Sequence, residues 1–349
     1  MRQTCMHFTF CVCRIIASAG YQHWPGTGNE IMFDKQNICR LLLTVGILLS
    51  STSLRAMSPL AESLKDAWAA RPTQFATPTA GFEAWQKGLR ERLAALIRAP
   101  EGAPEAKADV LWMIPEKPRN DWAVLCYGGS GQSVQTIRQL QGQFFYDRGF
   151  AVCCIANPPD DAARLLLEMG WSWLGYSVAA AKPALARLRT FAPRVIFSGF
   201  SLGTEPMMAL GNLYGTKGDA YIYNDFLCRC KERLIVLDRD PNGVRYLTPG
   251  YFDAFDFPDL CVALSESPMI FTEGGLDRDV AVLKRWHPEN ITFHHQPKFA
   301  KSKRFCGEKL PRHVSPKTFF QYYNVDPHNH NYKTSLIEPW LRTLGVSNL

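Results

Sequence analysis

The sequence has no C-x-x-C pair, no apolar run long enough to cross a membrane comfortably, no internal repeat and no low-complexity tract. The first absence removes the usual spacing of a structural zinc site. No other grouping of His, Cys, Asp and Glu makes a convincing ligand set, so neither metal nor cofactor is expected. The apolar run at 41–49 falls well short of the ~20 residues that a membrane helix needs, so no stable span is expected in the mature protein. Basic charge is thin as well. A formal net charge of +7 over 349 residues is not gathered into a face with interleaved aromatics, which argues against a nucleic-acid partner. The densest cluster, Lys298 to Arg304, reads as a solvated loop.

What is present is a chain with 46% hydrophobic residues, enough to bury a full core. Residues 1–56 read as a leader. Lys35 and Arg40 precede Leu41-Leu42-Leu43-Thr44-Val45-Gly46-Ile47-Leu48-Leu49, and small residues follow up to Ala56, the layout of a secretory signal. A signal begins at the initiator, so Met32 is the expected start and residues 1–31 an upstream over-extension; the alternative is an ordinary buried apolar segment. The expectation is therefore an exported protein, periplasmic or secreted, with residues 57–349 as one domain opened by a helical preface. Four of the eleven cysteines (Cys5, Cys11, Cys13, Cys39) fall in the leader, leaving seven. Cys126, Cys153 and Cys154 lie in apolar runs and read as small buried hydrophobes, while Cys228 and Cys230 are the pair to check for a disulfide partner.

Phe82, Trp85, Leu89, Leu93, Leu96 and Ile97 step by three or four, which places them on one stripe of a helix. Short apolar runs then alternate with helical patterns: Val110–Ile114, Ala123–Tyr127, Ala151–Ala156, Val195–Phe200, Ala220–Tyr223 and Met269–Thr272. Strands so separated argue for a mainly parallel sheet with helices on both faces. The spacing predicts helices over Ser133 to Gly149 and Leu165 to Leu188, the second kinked or split at Pro183. Leu237–Pro258 and Pro297–Thr318 carry Pro, Gly and charge without periodicity and read as excursions near the mouth of a site.

The chemistry concentrates at Gly199-Phe200-Ser201-Leu202-Gly203, which Val195-Ile196-Phe197 enters as a strand and Thr204–Leu210 leaves as a helix. A serine on such a turn is held exposed, and the new helix aims its N–H groups at developing negative charge. The alternative is a turn serine that only caps a helix. Acyl transfer needs a second backbone donor for the oxyanion, and the loop Tyr127-Gly128-Gly129-Ser130-Gly131 is placed to give it, with Gly129, Ser130 and Leu202 as the candidate donors. A phosphate cradle is disfavoured, because the loop has neither the P-loop lysine nor the dinucleotide fingerprint. Of the carboxylates after the late strand, Asp277 is favoured as the triad acid because it follows the Gly274-Gly275 turn. Asp279 suits a helix N-cap and Glu273 is a third choice. His294, His295, His313, His328 and His330 follow in the chain order expected of the base. His330 is favoured by its loop between the strand-like Phe319–Val325 and the last helix, Ser335–Leu344, with His328 as the alternative; His294 and His295 sit in a β-like run.

These segments, with Tyr223 to Cys228, Thr272 to Asp279 and Asn329-His330-Asn331-Tyr332-Lys333, resemble bacterial α/β-hydrolases of the acetyl-xylan-esterase-like and dienelactone-hydrolase-like kind, from about Phe82 to Leu344. The resemblance implies an α/β-hydrolase fold and a serine esterase acting on a small-molecule or carbohydrate ester through Ser201, Asp277 and His330. In such esterases an aromatic follows the histidine by two places and a tryptophan by about ten, which Tyr332 and Trp340 match for His330. The oxyanion loop begins with Tyr127 where many relatives have histidine. Two other functions stay open: a peptidase of the same fold, for which no amino-terminus pocket is visible, and a non-catalytic binding module, although no triad member is missing.

Overall fold

All six apolar runs form strands in a computed structural model of the chain, and a seventh strand joins them. They are β1 Val110–Met113, β2 Trp122–Tyr127, β3 Ala151–Ile155, β4 Arg194–Phe200, β5 Ala220–Phe226, β6 Met269–Glu273 and β7 Ile291–Phe293. The structure describes residues 58–69, 71–97, 109–226, 229, 231, 247–273, 275, 277–294, 330–346 and 349. The leader, the Cys228 and Cys230 pair, His295, His313, His328, the run Phe319–Val325 and the excursion Pro297–Thr318 lie outside the described residues. The sheet order is β1-β3-β2-β4-β5-β6-β7. β1 lies antiparallel to β3, and every other pair is parallel.

A parallel sheet must be covered on both faces, and alternate residues of each strand supply the two cores. Leu125, Tyr127, Phe197, Tyr221, Tyr223 and Phe271 face one way. Against them lie α1 Pro59–Ala69, a helix not anticipated from the sequence, and α2 Phe82–Leu96, the helix expected from the stripe Phe82 to Ile97, together with later helices of the same layer. Val124, Cys126, Val152, Cys154, Ile196 and Ile222 face the other way. That side is closed by α3, a run of helical turns over 134–146, and by the last helix, where Ile337, Trp340 and Leu341 are buried. Cys126, Cys153 and Cys154 are free and buried as the sequence implies, and burial pushes the Cys126 thiol up, keeping it protonated.

Two expectations are corrected. The pattern over Leu165 to Leu188 is broken at Gly170, not at Pro183, giving α4 Asp160–Glu168 and α5 Trp173–Leu188 with the proline inside. Gly170 takes φ 77°, its N–H bonds Leu167 O at 3.0 Å and the next N–H, of Trp171, bonds Leu166 O at 2.8 Å. This doubly bonded left-handed stop suits glycine. The missing hydrogen bond at Pro183 is outweighed by the buried face of α5, from Trp173 to Leu188. The region Leu237–Pro258 is also not wholly irregular: after α6 Thr204–Tyr214, it contributes α7 Tyr251–Ala254 and the start of α8 Phe257–Val262. Two further helices follow among the described residues, α9 Asp277–Leu283 and α10 Thr334–Thr343. Among the described residues no helix is long and apolar enough to cross a membrane, and no group of three or more His, Cys, Asp and Glu could hold a metal ion.

Candidate active site

In-register pairing brings the chemistry to one edge of the sheet. Tyr127 pairs with Gly199 and Phe200 with Asn224, so the loop after β2, the turn after β4 and the end of β5 emerge side by side. Phe226 pairs with Glu273, which adds the end of β6. Ligands of open α/β sheets bind at such carboxyl edges.

Ser201 leaves β4 into a single 3-10 turn, Ser201–Gly203, that runs directly into α6. It has φ 51°, the one positive φ of a non-glycine among the described residues. A left-handed L-residue costs about 1–2 kcal/mol, a strain sustained here by the strand and helix that clamp the turn. Thr204 Oγ1 donates to Ser201 O at 2.8 Å. Gly203 is required by close approach: a Cβ there would lie 2.4 Å from Tyr127 O and 2.6 Å from Gly128 O. Because the clash is with backbone, Gly203→Ala should destabilise the protein by about 3 kcal/mol, the upper end of typical overpacking costs. Urea denaturation checks this, and a wild-type midpoint would refute it.

His330 stands beside this turn. Its ring stacks on that of Phe200, with centroids 4.8 Å apart. Its Nδ1 is 2.7 Å from Glu273 Oε2, and the Glu273 side chain is 3% exposed. Among the described side chains, the carboxylate that meets the imidazole is Glu273, the third of the candidates offered by the sequence. Glu273 is the last residue of β6, and its longer side chain reaches the His330 loop from the strand end. Asp277 is the first residue of α9, and its side chain lies outside the described residues. Asp279 is no N-cap either: it is wholly buried and paired with Arg229 Nε at 2.8 Å and Arg278 Nε at 3.2 Å.

The His330 loop is tied down by residues that the sequence did not single out for a role in the site. Asn224, fully buried at the end of β5, donates to Asn331 O at 3.1 Å and accepts from Lys333 N–H at 2.7 Å. Its Nδ2 also lies 3.4 Å from Glu273 Oε1, as does Lys333 Nζ. Tyr332 reaches beneath the turn to Ser198, with oxygens 2.6 Å apart, and Ser198 donates to Gln141 at 3.0 Å. Burial pushes the Tyr332 phenol up, so it stays a neutral hydrogen-bonding group. Tyr332 and Trp340 share one core cluster, which explains physically why an aromatic and a tryptophan follow His330 at those spacings. The signal for Asn224 in the sequence is its place in the segment Tyr223 to Cys228, one of those that carry the resemblance, which names no role for it.

Of the three candidate oxyanion donors, Gly129 is set aside because its N–H donates to Gln132 Oε1 at 2.7 Å. The loop itself lies against Ser201: a Cβ on Gly129 would be 3.3 Å from Ser201 Cβ and 3.0 Å from the Phe200 ring. Ser130 continues that loop, and Leu202 is buried in the turn after Ser201. Glu205 is buried in the first turn of α6, where a carboxylate suits the helix N-terminus. His294 extends the β6–β7 pairing, its N–H on Phe271 O at 3.0 Å, and burial lowers its imidazole pKa.

Residues 152–343, more than half of the sequence, match the model of the Abhydrolase family. The chain belongs to that family. The crystal structure of a "putative acetyl xylan esterase" from Bacteroides fragilis is similar to this chain, 28% identical with a TM-score of 0.74, over 84% of this chain and 97% of that one. A cold-adapted esterase from an Arctic intertidal metagenomic library is 16% identical with a TM-score of 0.33, covering 53% of this chain and 75% of its own. A comparison with curated proteins gives no match. The Abhydrolase family match and the seven-stranded, mainly parallel sheet agree with the α/β-hydrolase fold expected from the sequence.

Proposed function

We propose that the chain is a carboxylic-ester hydrolase working through an acyl-enzyme, with Ser201 as nucleophile, His330 as general base and Glu273 as the acid. The observation that carries this reading is His330 itself, stacked beside the strained serine turn and held at Nδ1 by a buried carboxylate. With Nδ1–H donating to Glu273, the lone pair of Nε2 is left to take the proton of Ser201 as its oxygen attacks the acyl carbon. The imidazolium then protonates the leaving alkoxide, and water repeats the cycle on the acyl-enzyme. Ser130 and Leu202 N–H groups stabilise the tetrahedral oxyanion. The negative charge of Glu273 stabilises the imidazolium, and Asn224 and Lys333 hold that carboxylate in place.

The substrate class we propose is a small ester, acetylated carbohydrate foremost, a choice supported by the likeness to the Bacteroides fragilis protein. The test is a series of p-nitrophenyl esters of increasing acyl length followed by acetylated oligosaccharides. Activity falling steeply beyond acetate, with acetate released from the oligosaccharides, is the expected result; hydrolysis of peptides but not esters would overturn it.

Export is proposed as well, on the charged, apolar and small-residue order of Lys35 to Ala56. N-terminal sequencing of protein from the cell envelope or medium should find a start between about Ser51 and Ser58. An intact leader on a cytosolic protein would count against export.

A further inference from the structure

Two side chains grip the oxyanion loop with opposite hydrogen-bonding character. Gln132 Oε1 accepts the Gly129 N–H at 2.7 Å. Asn157 Nδ2 donates to Gly128 O, and to Gly129 O at 3.2 Å. Asn157 Oδ1 is buried and has no hydrogen-bond partner among the described residues, where this side chain engages the loop through its amide NH2. Asn157 lies two residues beyond Ile155, which pairs with Tyr127, and Gly128 N–H bonds Ile155 O at 3.2 Å. The neighbouring strand therefore supplies the anchor.

A trans peptide is planar, with its C=O and N–H pointing in opposite directions. Holding Gly129 O on Asn157 turns the Ser130 N–H away from Asn157, while Gln132 fixes the preceding peptide through the Gly129 N–H. The loop so held is the one that lies against Ser201 and Phe200. We infer that Gln132 and Asn157 are positioning residues for oxyanion stabilisation, orienting the Gly128–Ser130 peptides so that Ser130 N–H and Leu202 N–H form the donor pair. The inference rests on the serine-esterase reading.

Opposite polarity makes the test specific. Asn157→Asp keeps shape but sets an oxygen against two carbonyl oxygens, whereas Gln132→Glu keeps the acceptor that Gly129 uses; Gln132→Met removes it. The measurements are kcat and KM on p-nitrophenyl acetate, Ki for an aryl trifluoromethyl ketone, and a thermal melt of each variant. Serine adds to the ketone carbonyl, the π pair moves to oxygen and the serine proton passes to the base, so Ki reports the oxyanion site without turnover. Asn157→Asp should lower kcat about 100-fold with KM within about twofold, and raise Ki by a similar factor, the scale of losing one oxyanion donor. Gln132→Met should lose about tenfold on the same two readouts, and Gln132→Glu should stay within about threefold of wild type. Equal losses in Gln132→Glu and Gln132→Met would overturn the inference even if Asn157→Asp failed to fold, as would a loss confined to KM. A wild-type protein that hydrolyses no ester and forms no ketone adduct would overturn the serine-esterase reading instead.

Discussion

Ser201→Ala should leave the melting temperature unchanged or slightly different and reduce ester hydrolysis by several orders of magnitude. The reasoning is geometric. A left-handed serine between a strand and a helix is held at the sheet edge, beside the Gly129 backbone and the Phe200 ring on which His330 stacks. No other hydroxyl shares that position on the turn, so nothing replaces the lost oxygen. Loss of a triad serine removes the covalent route as a unit, and the remainder comes from binding and oxyanion stabilisation alone. Alanine is less at ease with φ 51° than glycine and meets the same strain as serine, which is why the fold should be nearly indifferent. The check is kcat on p-nitrophenyl acetate alongside labelling by a fluorophosphonate. Retention of more than about a hundredth of wild-type activity would sink the serine mechanism.

The second large effect separates the two candidate acids and the two candidate bases. Glu273→Gln should lower kcat by about 10³–10⁴, because an amide at Nδ1 no longer fixes the productive tautomer or stabilises the imidazolium. Asp277→Asn should stay within about threefold of wild type. The asymmetry follows from the 2.7 Å contact between Glu273 and His330, and from the hold of Asn224 and Lys333 on the same carboxylate. His330→Ala should abolish turnover and fluorophosphonate labelling together, while His328→Ala costs no more than about tenfold through loop positioning, about 1.4 kcal/mol. Thermal melts of all four variants separate chemistry from stability. If Asp277→Asn proved the more damaging change, the acid would move to α9.

The histidine is well specified by the chain because its neighbours are committed elsewhere. Tyr332 is bound to Ser198 beneath the turn and Trp340 is packed in the same cluster, so the spacing of aromatic and tryptophan after His330 is a fixed structural distance written into the sequence. The acid is not specified in that way. Glu273, Asp277 and Asp279 lie within a few residues of one another, and their local surroundings favoured the one after the glycine turn. Which of them meets Nδ1 depends on where β6 ends and on how far each side chain reaches. Both are set by the pairing of β6 with β5 and by the loop that Asn224 holds from a distant part of the chain.

Features whose causes lie within a few residues are legible in the chain: the strand, serine turn and helix at 194–214, the alternation of strands with helices, and the place of His330 ahead of the last helix. A turn is decided by the glycines and by the apolar runs that flank it, and these are contiguous in the chain. Contacts made by particular side chains came from the folded chain alone: Glu273 lies 2.7 Å from His330, Gly129 gives its N–H to Gln132, and Asn157 holds the same loop. Gly128 and Asn157 are 29 residues apart and meet because β2 and β3 pair in register. Hydrogen bonds of this kind have no periodicity for a sequence to display, since their geometry comes from the relative placement of whole strands.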